Sequence, residues 1–462
     1  MGEPLEIPMQ KNQKNQMSQK NEMNRKNACL VTACLIALPV VSLAQDLNAD
    51  IERDYGVYLA DLFDHFHRNP ELSLAEFETA ARMAAELRGA GFAVTENVGG
   101  TGVVAIMENG DGPLVMMRAD MDGLPLQEKS GLPYASTVMQ QDPFTGGSVP
   151  VMHACGHDVH ITSLVGTARQ MMRRRDAWRG TLMLIVQPAE ERGLGARAMR
   201  DDRLWERFGQ PDYVLGLHVR AQDVAGKINV QEGSPYAGVD SVDIIVHGVG
   251  SHGASPHQGK DPIVIASQIV LALQTLVARE LAPREPGVVT VGSFHAGTKH
   301  NIISDEVRLQ LTVRNTSPET RELLLTGIRR IAENMGRVAG LPDDLLPEVI
   351  VLDEWTPPGV NDAALVRRLK GVWGESMGAD TVIDEPSPGM GGEDFAFYSI
   401  DPGIPSAFWR VGGTPAEDFE RAEKGGPPVP SHHSPLFKID PEPAIRAGVE
   451  STVVALLDLL PR

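Results

Sequence analysis

The chain has 462 residues, 42% of them hydrophobic and 22% charged, the balance of a soluble globular protein and too long for one ordinary core. Acidic residues outnumber basic ones 61 to 42, for a net charge of −19. That argues against a nucleic-acid partner, because phosphate recognition needs a basic footprint, and it reads as a solvated acidic surface.

Residues 1–27 are polar, rich in Asn, Gln and Lys. Arg25 and Lys26 then precede an apolar run, Ala28 to Val41, too short to span a bilayer as a helix. Ser42-Leu43-Ala44 follows, with small residues where a signal peptidase reads. The layout predicts a secretory signal peptide over 1–44, with residues 1–22 an over-long start before Met23, and a periplasmic or secreted protein free of the membrane once the leader is removed. Val31-Thr32-Ala33-Cys34 loosely resembles a lipoprotein box but has too little apolar segment before it. Of three cysteines, Cys29 and Cys34 leave with the leader, so Cys155 stands alone and no intrachain disulfide remains.

A helical opening (Ile51 to His67) leads through His67-Arg68-Asn69-Pro70-Glu71-Leu72-Ser73 to a second amphipathic helix ending near Arg88. Short apolar strands then alternate with helices, the pattern of an α/β domain with a largely parallel sheet. Strand Leu114–Met117 runs into Arg118-Ala119-Asp120-Met121-Asp122-Gly123, strand Leu182–Val186 into Gln187-Pro188-Ala189-Glu190-Glu191, and strand Tyr213–Leu217 into His218. Metal-competent side chains thus gather past strand ends, where open α/β sheets place their active sites. Near Ser241 the character changes. A strand from Val242, a helix over about Pro262–Leu281, strands Val288–Phe294 and Val307–Val313, and a helix over about Pro318–Val338 give the order βαββα of a small ferredoxin-like domain. The expected division is 1–44 leader, 45–235 catalytic domain, 236–347 inserted lid or dimerisation domain, and 348–462 catalytic domain resumed, ending in a helix over Pro443–Leu460.

The densest ligand cluster is His153-Ala154-Cys155-Gly156-His157-Asp158-Val159-His160. Thiolate and imidazole suit zinc and its borderline neighbours, and two such groups around one glycine can reach neighbouring ions. Adjacent carboxylates Glu190 and Glu191 at a strand end point in different directions, so one can bind metal while the other faces bound water. His218 and Ser431-His432-His433-Ser434-Pro435 are weak signals taken singly.

Together with His67–Ser73, Arg118–Pro125 and Gly391-Gly392-Glu393-Asp394-Phe395-Ala396-Phe397-Tyr398, these motifs closely resemble the aminoacylase/carboxypeptidase metallopeptidase family. The subgroup is that of hippurate hydrolases, N-acyl-amino-acid amidohydrolases and auxin-conjugate hydrolases, and the resemblance runs from about residue 55 to the end. It implies a binuclear metallohydrolase holding two divalent ions (Zn, Mn, Co or Ni), with Cys155 bridging and His157, Glu191, His218 and His433 completing the shells. Glu190 is then the general base and Asp122 the aspartate beside the site. His252 stabilises the oxyanion, often from the partner subunit, while Asn301 and Arg314 contact the substrate, the arginine through its carboxylate. Asn301-Ile302-Ile303-Ser304-Asp305 departs from the usual Pro at its fourth place. The implied activity is hydrolysis of the amide bond of a small N-acyl amino acid by metal-activated water, in a homodimer. A dipeptidase or carboxypeptidase on the same scaffold is the alternative. A non-catalytic binding protein is a third reading, disfavoured because a binder needs no general base.

Overall fold

The computed structural model describes residues 38–386 and 389–462, with side chains from Asp46 onward. The expected leader therefore lies outside the described residues, apart from helical backbone that begins at Leu38.

Two sheets organise the chain from Asp46 on. The first is built from β1 (Ala93–Val98), β2 (Gly102–Asn109), β3 (Leu114–Asp120), β4 (Gly180–Gln187), β5 (Tyr213–Val224) and β6 (Ile228–Asn229). The second takes the next four strands, β7 (Gly238–His247), β8 (Gly287–Ala296), β9 (Glu306–Asn315) and β10 (Glu348–Thr356). The chain then returns to the first with β11 (Val382–Ile383) and β12 (Ser406–Thr414).

The large sheet has the order β1-β2-β4-β3-β5-β12-β6-β11. Its centre, β4-β3-β5-β12, is parallel, while β1 and β2 add antiparallel strands at one edge. The apolar run of β4 is continuous because both faces are buried. Leu182, Leu184 and Val186 enter a core shared with helices His157–Arg173 and Pro441–Leu459, and Met183 and Ile185 enter a second core with Trp205, Phe395 and Tyr398.

The small sheet, β8-β9-β7-β10, is antiparallel throughout. Along β9, Val307, Leu309, Leu311 and Val313 are buried against Ile265, Ile269, Leu273, Leu324 and Ile328 of the two covering helices, while Arg308 and Gln310 face away. Those helices start on local signals. Pro262 and Pro318 occupy the first turn, the Asp261 carboxylate accepts from Ile263 N at 2.9 Å, and the Ser317 hydroxyl accepts from Thr320 N at 3.1 Å.

Two sequence-based expectations need correction. Glu348–Thr356, expected to resume the larger domain, pairs with β7 and is the fourth strand of the small sheet, so the order is βαββαβ and the sheet extends past 347 to Thr356. Its weak apolar periodicity reflects an edge strand with partial burial. His218 also does not follow a strand. It lies within β5, which continues to Val224 alongside β12.

Candidate metal centre and substrate cavity

The turn after β4 begins with Ala189 in the left-handed region, φ 49°, a conformation that costs a non-glycine residue energy and is held by its surroundings. Here the Glu76 carboxylate accepts from Ala189 N at 2.9 Å and is itself held by the Thr101 hydroxyl at 2.6 Å. The next two amides are fixed by one side chain. Asp122, 1% exposed, accepts from Glu190 N at 3.2 Å and from Glu191 N at 3.1 Å, one bond to each oxygen, and also from the Ser73 hydroxyl at 2.6 Å. Its Oδ1 lies 3.2 Å from His157 Nδ1. Asp122 thereby orients both glutamates and stands beside a histidine.

Around this turn the expected ligands come together. His157 Nε2 is 3.8 Å from Glu190 Oε2 and 3.9 Å from Glu191 Oε1. His433 Nε2 is 3.3 Å from Glu191 Oε2, and Cys155 Sγ is 3.5 Å from His218 Nε2. Donor atoms sharing a tetrahedral ion at 2.0–2.3 Å stand roughly 3.3–3.8 Å apart, so the spacing suits cations. His157 Nε2 and Glu191 Oε1 are buried without a hydrogen-bond partner, a costly state that a cation relieves. Charge points the same way. Burial, with Glu393, Glu191, Asp394 and Asp120, pushes Glu190 well above the usual carboxylate range. Burial takes Glu191 to about 8 despite His157. Against its own burial, His157 is raised to about 10 by Asp120 and Asp122.

The adjacent histidines at the C-terminal motif are distinguished by their partners. His432 Nε2 accepts from Ala221 N at 3.1 Å, which leaves its proton on Nδ1, 3.6 Å from Cys155 Sγ. His433, turned by a φ of 62°, directs Nε2 to Glu191 instead. His218 donates from Nδ1 to Val219 O at 2.6 Å, which leaves Nε2 free to face Cys155.

Sequence reasoning passed over the residues that hold this cluster. Arg118 is fully buried and meets three carboxylates: Asp120 at 2.8 Å, Glu393 at 2.8 Å and Asp394 at 3.3 Å. Gln187 accepts from Arg118 Nε and donates to Asp394. His160 accepts from Val219 N at 2.8 Å and pairs with Asp120. The signal was present in the Arg-Ala-Asp and Gly-Glu-Asp runs, but their partnership spans 275 positions.

A cavity of about 290 Å³ brings Cys155, Glu190, Glu191, His218 and His433 together with Arg314 of β9 and with Trp355 of β10. Arg314 uses Nη1 on Thr312 Oγ1 and Val313 O, while its other nitrogens donate to no described residue. His252 and Asn301 are not brought to this cavity within the chain. Both are exposed on the short ribbon that pairs Ser251–His252 with Ile302–Ile303, where Gly253 N donates to Asn301 O at 2.9 Å.

Known proteins place these observations. Residues 116–425 match the peptidase family M20/M25/M40. The chain is 34% identical over 413 residues to a putative amidohydrolase of Bacillus subtilis, covering 89% of this chain and 97% of that one. It is 37% identical over 333 residues to the hippurate hydrolase of Campylobacter jejuni, covering 72% and 82%. A crystal structure of a dinuclear metal binding peptidase of the M20 family from Bacillus subtilis superposes with a TM-score of 0.70 at 28% identity, covering 90% of this chain and 99% of that one. The chain belongs to peptidase family M20/M25/M40 and is a metal-dependent hydrolase of C–N bonds.

Proposed function

We propose that the protein hydrolyses the amide bond of small N-acyl amino acids, acting outside the cytoplasm as a homodimer. The observation that carries the substrate class is the single cavity joining Arg314 to the Cys155–Glu190–Glu191–His433 cluster. A guanidinium with free donors beside a metal-competent cluster suits a substrate whose carboxylate lies a short distance from its scissile amide. Relatives named for such substrates, the hippurate hydrolase of Campylobacter jejuni and an N-acetyl-L-cysteine deacetylase of Bacillus subtilis, support the reading.

In this reading Cys155, His157, Glu191, His218 and His433 would hold two divalent cations, which when bound supply an activated water and polarise the scissile carbonyl. Glu190, set 3.8 Å from His157 by the Asp122-held turn, accepts the water proton and returns it to the leaving amine. Burial raises its affinity for protons, the direction a proton-carrying carboxylate needs. Arg314 anchors the carboxylate. His252 and Asn301, exposed on one ribbon, serve the cavity of a second copy. Export rests on the basic, apolar and small-residue layout of residues 23–44.

The test is turnover of enzyme loaded in turn with Zn, Mn, Co and Ni on acetyl- and benzoyl-amino acids beside dipeptides. The proposal expects the acyl-amino acids to be cleaved faster. Faster dipeptide cleavage would move the protein to the peptidase reading, and turnover of neither would refute both.

A further inference from the structure

A second cavity of about 170 Å³ adjoins the first through His218, Gly392 and Glu393 and is not lined by Arg314. Its floor is set by strand register. Alternation along β5 sends His218 and Arg220 to one face, about 6.6 Å apart. On the neighbouring β12, Arg410 is in register with His218, and Phe408 with Gly216. Gly216 is required bare there, since a Cβ would come within 2.9 Å of the Phe408 ring. Phe408 stands edge to face with Tyr236, ring centroids 5.2 Å apart, and the two rings form an apolar wall.

Beyond that wall the cavity holds donors with spare N–H groups, although the Glu393 carboxylate lines it too and Asp223 stands at ion-pair distance from both arginines. Arg220 donates a hydrogen bond to no described residue, and Arg410 gives one, to Glu385 O at 2.7 Å. Their shared carboxylate, Asp223, is 3.6 Å from one and 3.7 Å from the other, outside hydrogen-bond reach. Asn229, 1% exposed and in register with Arg410, accepts from Glu385 N through Oδ1 and leaves its Nδ2 buried without a partner. Two guanidiniums and an amide with spare N–H groups are the chemistry that receives a carboxylate.

We propose that this second cavity takes the acyl half of the substrate and selects acyl groups that end in a carboxylate, the monoacyl forms of short dicarboxylic acids. The inference rests on the amidohydrolase reading. The chain between carbonyl and carboxylate lies along Tyr236 and Phe408, and the distal carboxylate meets Arg220 with Arg410. A substrate thus spans two anchors, Arg314 for its amino-acid carboxylate and Arg220 for its acyl terminus.

The experiment compares N-glutaryl and N-pentanoyl conjugates of one amino acid, equal in chain length and different only in the terminal group. With metal-loaded enzyme, kcat/KM for the glutaryl conjugate should exceed that for the pentanoyl one by roughly tenfold or more, the span of charged hydrogen bonds. Arg220→Gln should collapse that ratio, and Arg220→Lys should recover part of it. The same pair is titrated against metal-loaded Glu190→Gln by calorimetry, a measurement that needs neither turnover nor a change in the second cavity. If wild-type enzyme cleaves neither conjugate yet the glutaryl one binds tighter, the hydrolytic reading fails while the carboxylate preference of the second cavity stands. Equal or better binding and cleavage of the pentanoyl conjugate, or a ratio unmoved by Arg220→Gln, would overturn it.

Discussion

The two sheets differ in what they bury. At the centre of the large sheet, residues pointing to either face are enclosed, and its strand ends hold a charge cluster in which one fully buried arginine meets three carboxylates. The small sheet buries one face only, so β9 alternates between core and exposure and can present Arg314 from its open side. Chemistry that needs fixed donor spacing sits where packing holds most of the side chains, His433 being the exposed exception. Recognition of a substrate group, as proposed for Arg314, sits on a half-open surface.

The largest effects should come from the cluster itself. Glu190→Gln should lower kcat by roughly 10²–10⁴ while elemental analysis still finds the metal, whereas Cys155→Ser and Glu191→Gln should lose metal and activity together. An active Glu190→Gln, or a Cys155→Ser chain with unchanged metal affinity, would break the assignment.

The next contrast sets a buried cation against an exposed one. Arg118→Met strands Glu393, Asp394 and Asp120 and should cost about 3–5 kcal/mol in denaturant unfolding. Arg330→Met, on a helix covering the small sheet and half exposed beside the similarly open Glu280, should cost no more than about 1 kcal/mol. Comparable losses would erase the distinction between the sheets.

Arg314→Ala should reduce kcat/KM for carboxylate-bearing substrates by roughly ten- to a hundredfold, mostly through KM, and leave the unfolding midpoint nearly in place. A substrate lacking the carboxylate should be indifferent to the change.

The last test is a pH dependence. His67 is buried, which lowers its proton affinity, but hydrogen bonds to Asp158 at 2.6 Å and Glu128 at 3.2 Å prevail and raise it to about 9. A histidine raised in the folded state contributes stability that is complete below about 6.5 and lost as pH climbs through 9. The stability advantage of the wild type over His67→Gln should therefore shrink between those values, by on the order of 1–2 kcal/mol. A constant advantage across that window would refute the charged pairing.

Much of this was legible in the sequence, and the rest was hidden for definite reasons. The His-Ala-Cys-Gly-His run and the paired glutamates carry their chemistry locally, and helix Pro318–Val338 begins and ends where its cap and period predict. β10 was misplaced because an edge strand shows little periodicity, yet it carries Trp355 into the first cavity. Arg118 and Glu393 could not be paired by inspection, since the bond between them closes only after the small sheet has been threaded through. Distinguishing His432 from His433 required a backbone N–H from a strand more than two hundred positions away.

Asp122 has a consequence for how the centre responds to damage. One carboxylate fixes the amides of Glu190 and Glu191 and stands against His157, so the proposed proton carrier and one expected ligand hang from a single peg, with a second expected ligand beside it. Such a centre has little room to fail by degrees. A disturbance at the peg releases acid, base and ligand in one movement, and the half-assembled states that could hold a cation without turning over substrate are correspondingly scarce.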